Sequence, residues 1–475
     1  MTFHSLAFVV FFPVLLAAYW CLPHRAQNVL LLAASYLFYG WVHPWFVAIM
    51  LISTTVDYWA GQRMEDDPRR KRWYLAASLS VNLGMLGFFK YFNFFIDNMR
   101  APLALLGINA APPTLEILLP AGISFYTFQA LSYTIDVYRG EMRARRNPID
   151  FALFIAFFPH LVAGPIMRAQ NLLKQVERPR VFALDAARSG AVLIAWGFFK
   201  KLVIADNVAI IAGRVFGHQH PSSVVLWAGV FAFGIQIYAD FSAYSDIARG
   251  VARWFGFELM VNFNHPYIAH SPSDFWRRWH ISLSTWFRDY VYILLGGGRA
   301  ASPRREANIL ATFLLSGFWH GASWNFVLWG LYHGALVVVT RALGRVFRLP
   351  ERWPGPLAFV QIAGTFVLMM AGWLLFRETN ATFLLRDLSV SPFTSTTQER
   401  AIALYLFVTA ATWALPLMID DAFALWRERT AYWRPVTVWP AVPRLASEMA
   451  MVGGLFTLIL VLRSRIALDF IYFQF

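Results

Sequence analysis

A single cysteine, Cys21, in 475 residues leaves no partner for an intramolecular disulfide and no basis for a cysteine-based metal site. It lies in an apolar stretch and reads as a packed thiol. Charge is scarce as well. Asp, Glu, Lys and Arg make up 14% of the chain, where a soluble protein carries about a quarter. Carboxylates are the rarer sign, 27 against 41 lysines and arginines. No G-x-S-x-G nucleophile elbow is present. No G-x-x-x-x-G-K-[ST] phosphate cradle is present either, which disfavours an ATP-driven pump. The run Gly296-Gly297-Gly298 is too short to bind a nucleotide and reads as a loop. No stretch reads as a soluble domain, linker, low-complexity tract or repeat. The opening residues MTFHS lack a basic n-region, so the first apolar run is expected to be a retained helix rather than a cleaved signal.

What the chain has instead is apolar length. Hydrophobic residues make up 58% and aromatic residues 17%. Runs of about twenty apolar residues, enough to cross a bilayer, recur throughout. They are continuous rather than alternating, which argues against a membrane β-barrel and for an all-α polytopic membrane protein. A net charge of +14 would raise nucleic acid in a soluble protein. Here the basic residues sit in short loops between apolar runs, the positive-inside pattern, so no nucleic-acid partner is expected.

Taken in order, spans are expected at 6–22, 28–41 and 45–61, followed by the basic loop 63–72 on the cytoplasmic side. Counting back three spans puts the N-terminus outside. A fourth span, 73–96, ends outside. The segment 115–138 is interrupted by Pro120, Gly122 and Ser124, and 151–168 contains FFPHLVAGP. Irregular backbone at membrane depth is tolerated only inside protein or along a cavity. These two segments are therefore expected to line an internal pathway, with Ser124 and His160 on it. The long runs 186–215 and 224–255 carry Lys200, Lys201, Asp206, Asp240 and Asp246. Arg277, Arg278, Arg288 and Asp289, set among tryptophans and tyrosines, suit one amphipathic interfacial helix over 275–295. A cytoplasmic loop follows at 296–305. Further helices are expected at 307–319, 324–346, 357–376, 401–419 and 448–462, with an interfacial piece at 379–390. The count is about eleven spans plus re-entrant segments. Arg427, Arg429 and Arg434 put their loop inside and the tail outside; one re-entrant segment counted as a span reverses that.

The chemistry concentrates in 275–334, where FWRRWHISLSTWFRDYVYILLGGGR is followed by EANILATFLLSGFWHGASWNFVLWGLYHG. No lysine or arginine occurs from Glu306 to Tyr332, and His320 sits inside that run. A titratable side chain at membrane depth is costly and marks a functional candidate. Gly317, Gly321 and Ala322 are small, which suggests room for a substrate; Trp319 and Trp324 are expected to wall the ring in. A buried histidine stays neutral and can accept a proton near pH 7, as a general base for a hydroxyl must. The competing reading is a core histidine bonded to a carbonyl. His280 is read within the amphipathic helix, as a site residue or an interfacial histidine. His333 lies further along, where helical phase takes it away from His320. Asp240 either holds helices together through buried hydrogen bonds or orients a polar substrate. Tyr238 and Asn325 are placed with it on the substrate path. His265 and His270 are not at metal-ligand spacing, and no metal site is expected.

These residues resemble the membrane-bound O-acyltransferase family. The likeness is to its bacterial branch of alginate O-acetyltransferase membrane subunits and teichoic acid D-alanyl transfer proteins. GFWHGASWNFVLWGLYHG follows His280 by about forty residues, as in that branch. LLLAASYLFYGW, GFFKYFNFF, LLPAGISFYTFQALSYTIDVYRGE, FIAFFPHLVAGPIMR, QIYADFSAYSDIARG, VNFNHPYIAHSPSDFWRRWH and the terminal FIYFQF fit it too. The likeness runs over nearly the whole chain except roughly 345–446. It implies one transmembrane domain over 1–475, with N-terminal helices at 1–100, a tunnel and catalytic core at 101–345 and C-terminal helices at 346–475. The helices would ring a thin centre crossed by a tunnel. It implies that His320 is the catalytic base and that His280 fills the second polar position. It implies a cytoplasmic acyl thioester donor, acetyl-CoA foremost, with no permanently bound cofactor. It further implies a lipid bilayer setting and an extracytoplasmic partner protein that completes transfer to a polysaccharide. The rivals are D-alanyl transfer from a carrier protein, a lipid-modifying acyltransferase, and a polar-solute transporter built on the same broken helices. The transporter would be supported by a repeat between two halves, and none is found.

Overall fold

The computed structural model describes the chain apart from residues 108–113, 219–220, 349, 379, 390, 430–440, 467, 469 and 472–475. Arg434 and the last four residues of FIYFQF lie outside the described residues. No strand occurs among those described. The chain divides into two compact units, Met1–Gly190 with Ile247–Met260, and Ala191–Asp246 with Val261–Phe475.

The first unit carries α1 (Leu6–Trp20), α2 (His24–Gly40), α3 (Trp45–Asp66), α4 (Lys71–Leu86), α5 (Phe92–Leu105), α6 (Ile123–Arg139), α7 (Pro148–Ala156), α8 (Phe158–Leu161) and α9 (Ala169–Glu177). Between α4 and α5 the backbone widens into a π turn, Gly87–Tyr91, so the fourth apolar run is not one regular helix. Helices α3, α4 and α6 pack together around a polar knot: the buried Asp57 carboxylate accepts from Ser78 Oγ at 2.6 Å and from Asn82 Nδ2 at 2.9 and 3.0 Å. Buried polar groups persist in such interiors only when hydrogen-bonded.

Both interrupted segments are broken as expected. Gly122 holds φ +77°, which an L side chain adopts at a cost, and a Cβ there would stand 2.6 Å from the Leu161 carbonyl oxygen. Helix α6 can start only after it. Asn147 accepts from the backbone of Ile149 and Asp150 and Pro148 fills the first turn, the usual way to start a helix. Helix α7 then stops at Phe157, α8 lasts four residues, and a tight turn follows in which a Cβ on Gly164 would lie 2.4 Å from His160 Cα.

The second unit holds most of α10 (Leu184–Phe199), a π turn at Lys200–Ala205, α11 (Asp206–Phe216) and most of α12 (Ser223–Trp254). It continues with α13 (Pro272–Arg278), α14 (Ile281–Phe287), α15 (Arg304–His320), α16 (Trp324–Val346), α17 (Leu357–Arg377), α18 (Ala381–Ser389), α19 (Thr397–Arg429) and α20 (Ala441–Leu462). Among the described residues, six helices are long and apolar enough to cross a membrane: Pro68–Leu105, Ser223–Trp254, Trp324–Val346, Leu357–Arg377, Thr397–Glu428 and Arg444–Leu462; Leu6–Trp20 is apolar but shorter. The chain is thus an all-helical multi-pass membrane protein.

One element differs from the sequence reading. Residues 275–295 are not a single amphipathic helix. Helix α13 ends at Arg278, Trp279 is extended, His280 is left-handed, and α14 begins at Ile281 before a π turn at Arg288–Tyr292. The break has a cause in the neighbouring loop. Asn264 donates its backbone N–H to Arg278 O, and Ile281 donates to Asn262 O, both at 2.9 Å. Those loop bonds take backbone groups that a continuous helix would use itself.

Candidate active site

His320 is the last residue of α15 and is buried. The hairpin of α15 and α16 that holds it is unusually close. A Cβ on Gly317 would meet the Phe326 carbonyl oxygen at 2.1 Å, one on Gly330 would meet Phe313 O at 2.3 Å, and one on Gly321 would meet the Phe326 ring at 2.1 Å. The small residues around His320 therefore do not leave room for a substrate; the facing helix fills that space. Ser323 starts α16 by accepting from Asn325 N at 3.4 Å.

Three aromatic rings surround the His320 imidazole. Trp319 and Trp329 both lie 5.0 Å away between centroids, and Phe376 of α17 lies at 5.3 Å, all edge-on. Trp324 stands 57% exposed at the start of α16, so the buried wall comes from Trp329 and Phe376. Helical phase takes His333 away from His320 only along one continuous helix. The chain breaks at Gly321–Ser323, so the two histidines are not on one helix, and Trp329 is sandwiched between His320 and His333, the latter at 4.8 Å. His333 is 1% exposed and rests on Trp276 at 5.0 Å, and neither of its ring nitrogens has a hydrogen-bond partner among the described residues.

His280 lies 1% exposed at the break between α13 and α14, with φ 43° and ψ 53°. A histidine held left-handed costs on the order of 1–3 kcal/mol and is found where function or packing demands it. Its ring sits edge-on to Phe241 at 4.7 Å and reaches Trp319 at 6.4 Å. Both predicted catalytic histidines therefore border one indole. Its Nδ1 lies 3.1 Å from Asn262 Oδ1. Burial pushes the His280 pKa down to about 3, so the ring is neutral near pH 7.

The remaining predicted residues divide by role. Tyr238 packs on Tyr267 at 5.2 Å and Trp279 at 6.1 Å, behind the His280 break. Asp240 pairs with Lys201 at 3.0 Å and accepts from Ile471 N at 2.7 Å, which fits the packing reading rather than the substrate reading. Asn325 donates to the Glu378 carbonyl at the end of α17, while its own carbonyl oxygen has no partner among the described residues. In the first unit, His160 lies 2.8 Å from Gln129 Oε1, and Ser124 is buried at the start of α6. Sequence reasoning missed Asn262, Trp329 and Phe376. Asn262 had a signal, an asparagine in VNFNHP just ahead of the histidine-bearing segment, but its pairing depends on a loop fold.

A cavity of about 940 Å³ is lined in part by Pro272, Ser273, Asp274 and Arg277 of α13. Arg277, Arg305, Arg341, Arg345 and Arg352 line it, against Asp274, Glu306 and Glu351. Arg277 bonds the Ser273 carbonyl at 3.4 Å and Arg341 bonds Ser273 Oγ at 3.2 Å. Neither guanidinium has a carboxylate partner among the described residues. Arg278, next in line, is held by Asp274 at 3.2 Å and Glu428 at 3.1 Å.

Two buried histidines bordering one indole in a polytopic helical chain suit a membrane enzyme that moves an acyl group onto a hydroxyl. Comparison with known proteins agrees. The model of the membrane-bound O-acyltransferase family matches residues 142–377. A probable alginate O-acetylase of Azotobacter vinelandii is 44% identical over 385 residues, covering 80% of this chain and 76% of that protein. A peptidoglycan O-acetyltransferase of Helicobacter pylori is 35% identical over 407 residues, covering 78% and 75%. A teichoic acid D-alanyltransferase of Bacillus subtilis is 30% identical over 228 residues, covering 46% and 57%. The chain belongs to the membrane-bound O-acyltransferase family and is an acyltransferase.

Proposed function

We propose that this chain carries an acetyl group from a cytoplasmic thioester, acetyl-CoA, across the inner membrane for O-acetylation of an extracytoplasmic polysaccharide. The observation that carries the reading is the single indole, Trp319, bordered by both His320 and His280. In this reading His320 takes the proton of the acceptor hydroxyl. The oxygen attacks the thioester carbonyl, the C–S bond breaks, and the proton passes to the departing thiolate. The developing oxyanion needs donors, for which the indole N–H groups of Trp319 and Trp329 beside His320 are candidates.

Helix lengths support the direction of transfer. Helix α15 starts at Arg304 and Arg305 and ends at His320, 17 residues in all. At ~1.5 Å per residue it rises about 25 Å, most of a hydrocarbon core about 30 Å thick. With the arginines at the cytoplasmic interface, the base lies deep, towards the outer face. The basic cavity lies at the other end of α15 and includes Ile309. From there to His320 is about 16 Å along the axis, a span an extended pantetheine arm covers. Arg277 and Arg341 would then meet the donor's phosphates.

The same reading takes the chain as one domain of about eleven spans ringed around a tunnel, with the N-terminus outside and an extracytoplasmic partner protein receiving the acetyl group. Tyr238, Asn325, Trp319 and Trp324 are its proposed lining in the second unit, and His160 and Ser124 are the proposed lining within the first. D-alanyl transfer is the second reading, favoured by the D-alanyltransferase likeness.

Labelled acetyl-CoA supplied to one side of proteoliposomes tests this. The expected result is label on an acceptor or partner at the far side with the wild type, and none with His320→Ala of equal expression. Equal transfer by both removes His320 as the base. Transfer only from a carrier-loaded acyl donor moves the assignment to the D-alanyl type.

A further inference from the structure

The hydrogen bonds around Asn262 carry more than the placement of a loop. Asn262 is 1% exposed. Its Oδ1 lies 3.2 Å from the backbone N of Ser282, 2.9 Å from Ser282 Oγ and 3.1 Å from His280 Nδ1. Its Nδ2 donates to Ser245 Oγ at 3.2 Å. The identity of the two ends of an amide must be read from its partners. Here the partner is decisive, because a backbone N–H can only donate. The atom it meets is therefore the carbonyl oxygen, and that oxygen can only accept. His280 Nδ1 must then carry a hydrogen to bond it. In a neutral imidazole one nitrogen donates and the other accepts, so the lone pair is on Nε2.

We propose that Asn262 is a positioning residue that holds His280 in the Nδ1–H tautomer, so that His280 presents Nε2 to the reaction as a proton acceptor and not as an oxyanion donor. This deepens the acetyl-transfer reading and rests on it for the role of His280. It assigns the two histidines the same polarity. Oxyanion stabilisation then falls to other groups, and His280 holds the acceptor hydroxyl or the thiol proton. The left-handed backbone at His280 belongs to the same device. Ile281 N donates to Asn262 O at 2.9 Å, so the loop that fixes the tautomer also fixes the break that turns the ring inward. The groups around the ring are Asn262, Phe241, Phe263 and Trp319. The neighbouring charge, Arg278, is held by Asp274 and Glu428.

The test has two parts that fail separately. The first reads the tautomer without activity: ring-15N spectra of histidine-labelled full-length protein in bilayers, with His280 assigned by the signals lost in His280→Asn. A protonated Nδ1 and bare Nε2 are expected; the reverse tautomer overturns the proposal even if transfer is active. The second reads rate against pH in the proteoliposome assay. Asn262→Ala loses the acceptor and should lower kcat by about tenfold or more, within the usual range for acid–base groups, with KM little changed. Asn262→Asp keeps an acceptor for both Ser282 groups and for Nδ1–H but adds a negative charge, which favours imidazolium. It should retain the alkaline rate and move the acid limb to higher pH by about one unit or more. Ser282→Ala, which also strips a bond from Oδ1, should leave the profile in place. Wild-type profiles in both Asn262 variants, or an Asp variant as slow as Ala at every pH, overturn the proposal. If the wild type transfers nothing, the acetyl-transfer reading falls, and the tautomer is still decided by the spectra.

Discussion

At the level of single residues, His280 links backbone geometry to protonation. Its neutral form is favoured by burial, which pulls the pKa to about 3 from an ordinary value near 6.5. The sign follows from proton counting. Between those two values the unfolded chain binds the proton and the folded chain does not, so stability rises with pH across that window. It is fully present above about pH 6.5 and lost as pH falls towards 3. Thermal unfolding of the purified protein should therefore show a lower midpoint at acid pH, and His280→Asn should flatten part of that slope. An unchanged slope in the variant would assign the acid sensitivity elsewhere. Asn also tolerates the left-handed backbone better than Ala does, so His280→Asn should be the more stable of the two replacements. His320 was legible in the sequence because a histidine inside a charge-free run stands out on cost alone. Asn262 was not, since its effect on His280 comes from a loop pairing that no local pattern encodes.

Elements tell a similar story about glycine and charge. The helical runs of the second unit were readable from apolar length. The role of SGFWHG was misread, because small residues signal closeness without saying what comes close. Here the other helix does: a Cβ on Gly317 would lie 2.1 Å from a backbone oxygen that cannot rotate away. Gly317→Ala should cost at least about 1–3 kcal/mol, the range for overpacking, seen as a lower unfolding midpoint, and should depress transfer by displacing His320. A stable, fully active variant would refute the close hairpin. The π turn at Lys200–Ala205 shows the other kind of hidden information. It aims Lys201 at Asp206, 2.9 Å away, and Asp240, 3.0 Å away, while Lys200 meets Asp246 at 2.6 Å. The sequence announced these charges but not their pairing, because the widened turn shifts the helical phase. Lys201→Met removes the cation shared by two buried carboxylates and should destabilise by about 3–5 kcal/mol, whereas removing a surface pair such as Arg288 with Asp289 should be near neutral.

For the whole molecule, helix length and charge placement decide how the chain sits in a bilayer. Helix α1 has 15 residues and α6 has 17, which at ~1.5 Å per residue gives about 22–25 Å. That is short of an unperturbed core of about 30 Å, a deficit that a crossing helix meets by local thinning of the bilayer or by snorkelling of its flanking residues. Orientation then rests on the basic loop 63–72 being cytoplasmic. If it is, and α1 to α3 each cross, Cys21 at the end of α1 is cytoplasmic too. Cys21 is exposed, and it is the only cysteine in the chain, so the native protein carries its own probe. A membrane-impermeant maleimide added to intact cells should leave Cys21 unlabelled, while a permeant one labels it. In Cys21→Ser, a cysteine placed at Asp67 should behave in the same way, and one at His43, between α2 and α3, should react from outside. Labelling of Cys21 from outside would invert the N-terminal helices and put the arginines of 63–72 on the wrong side.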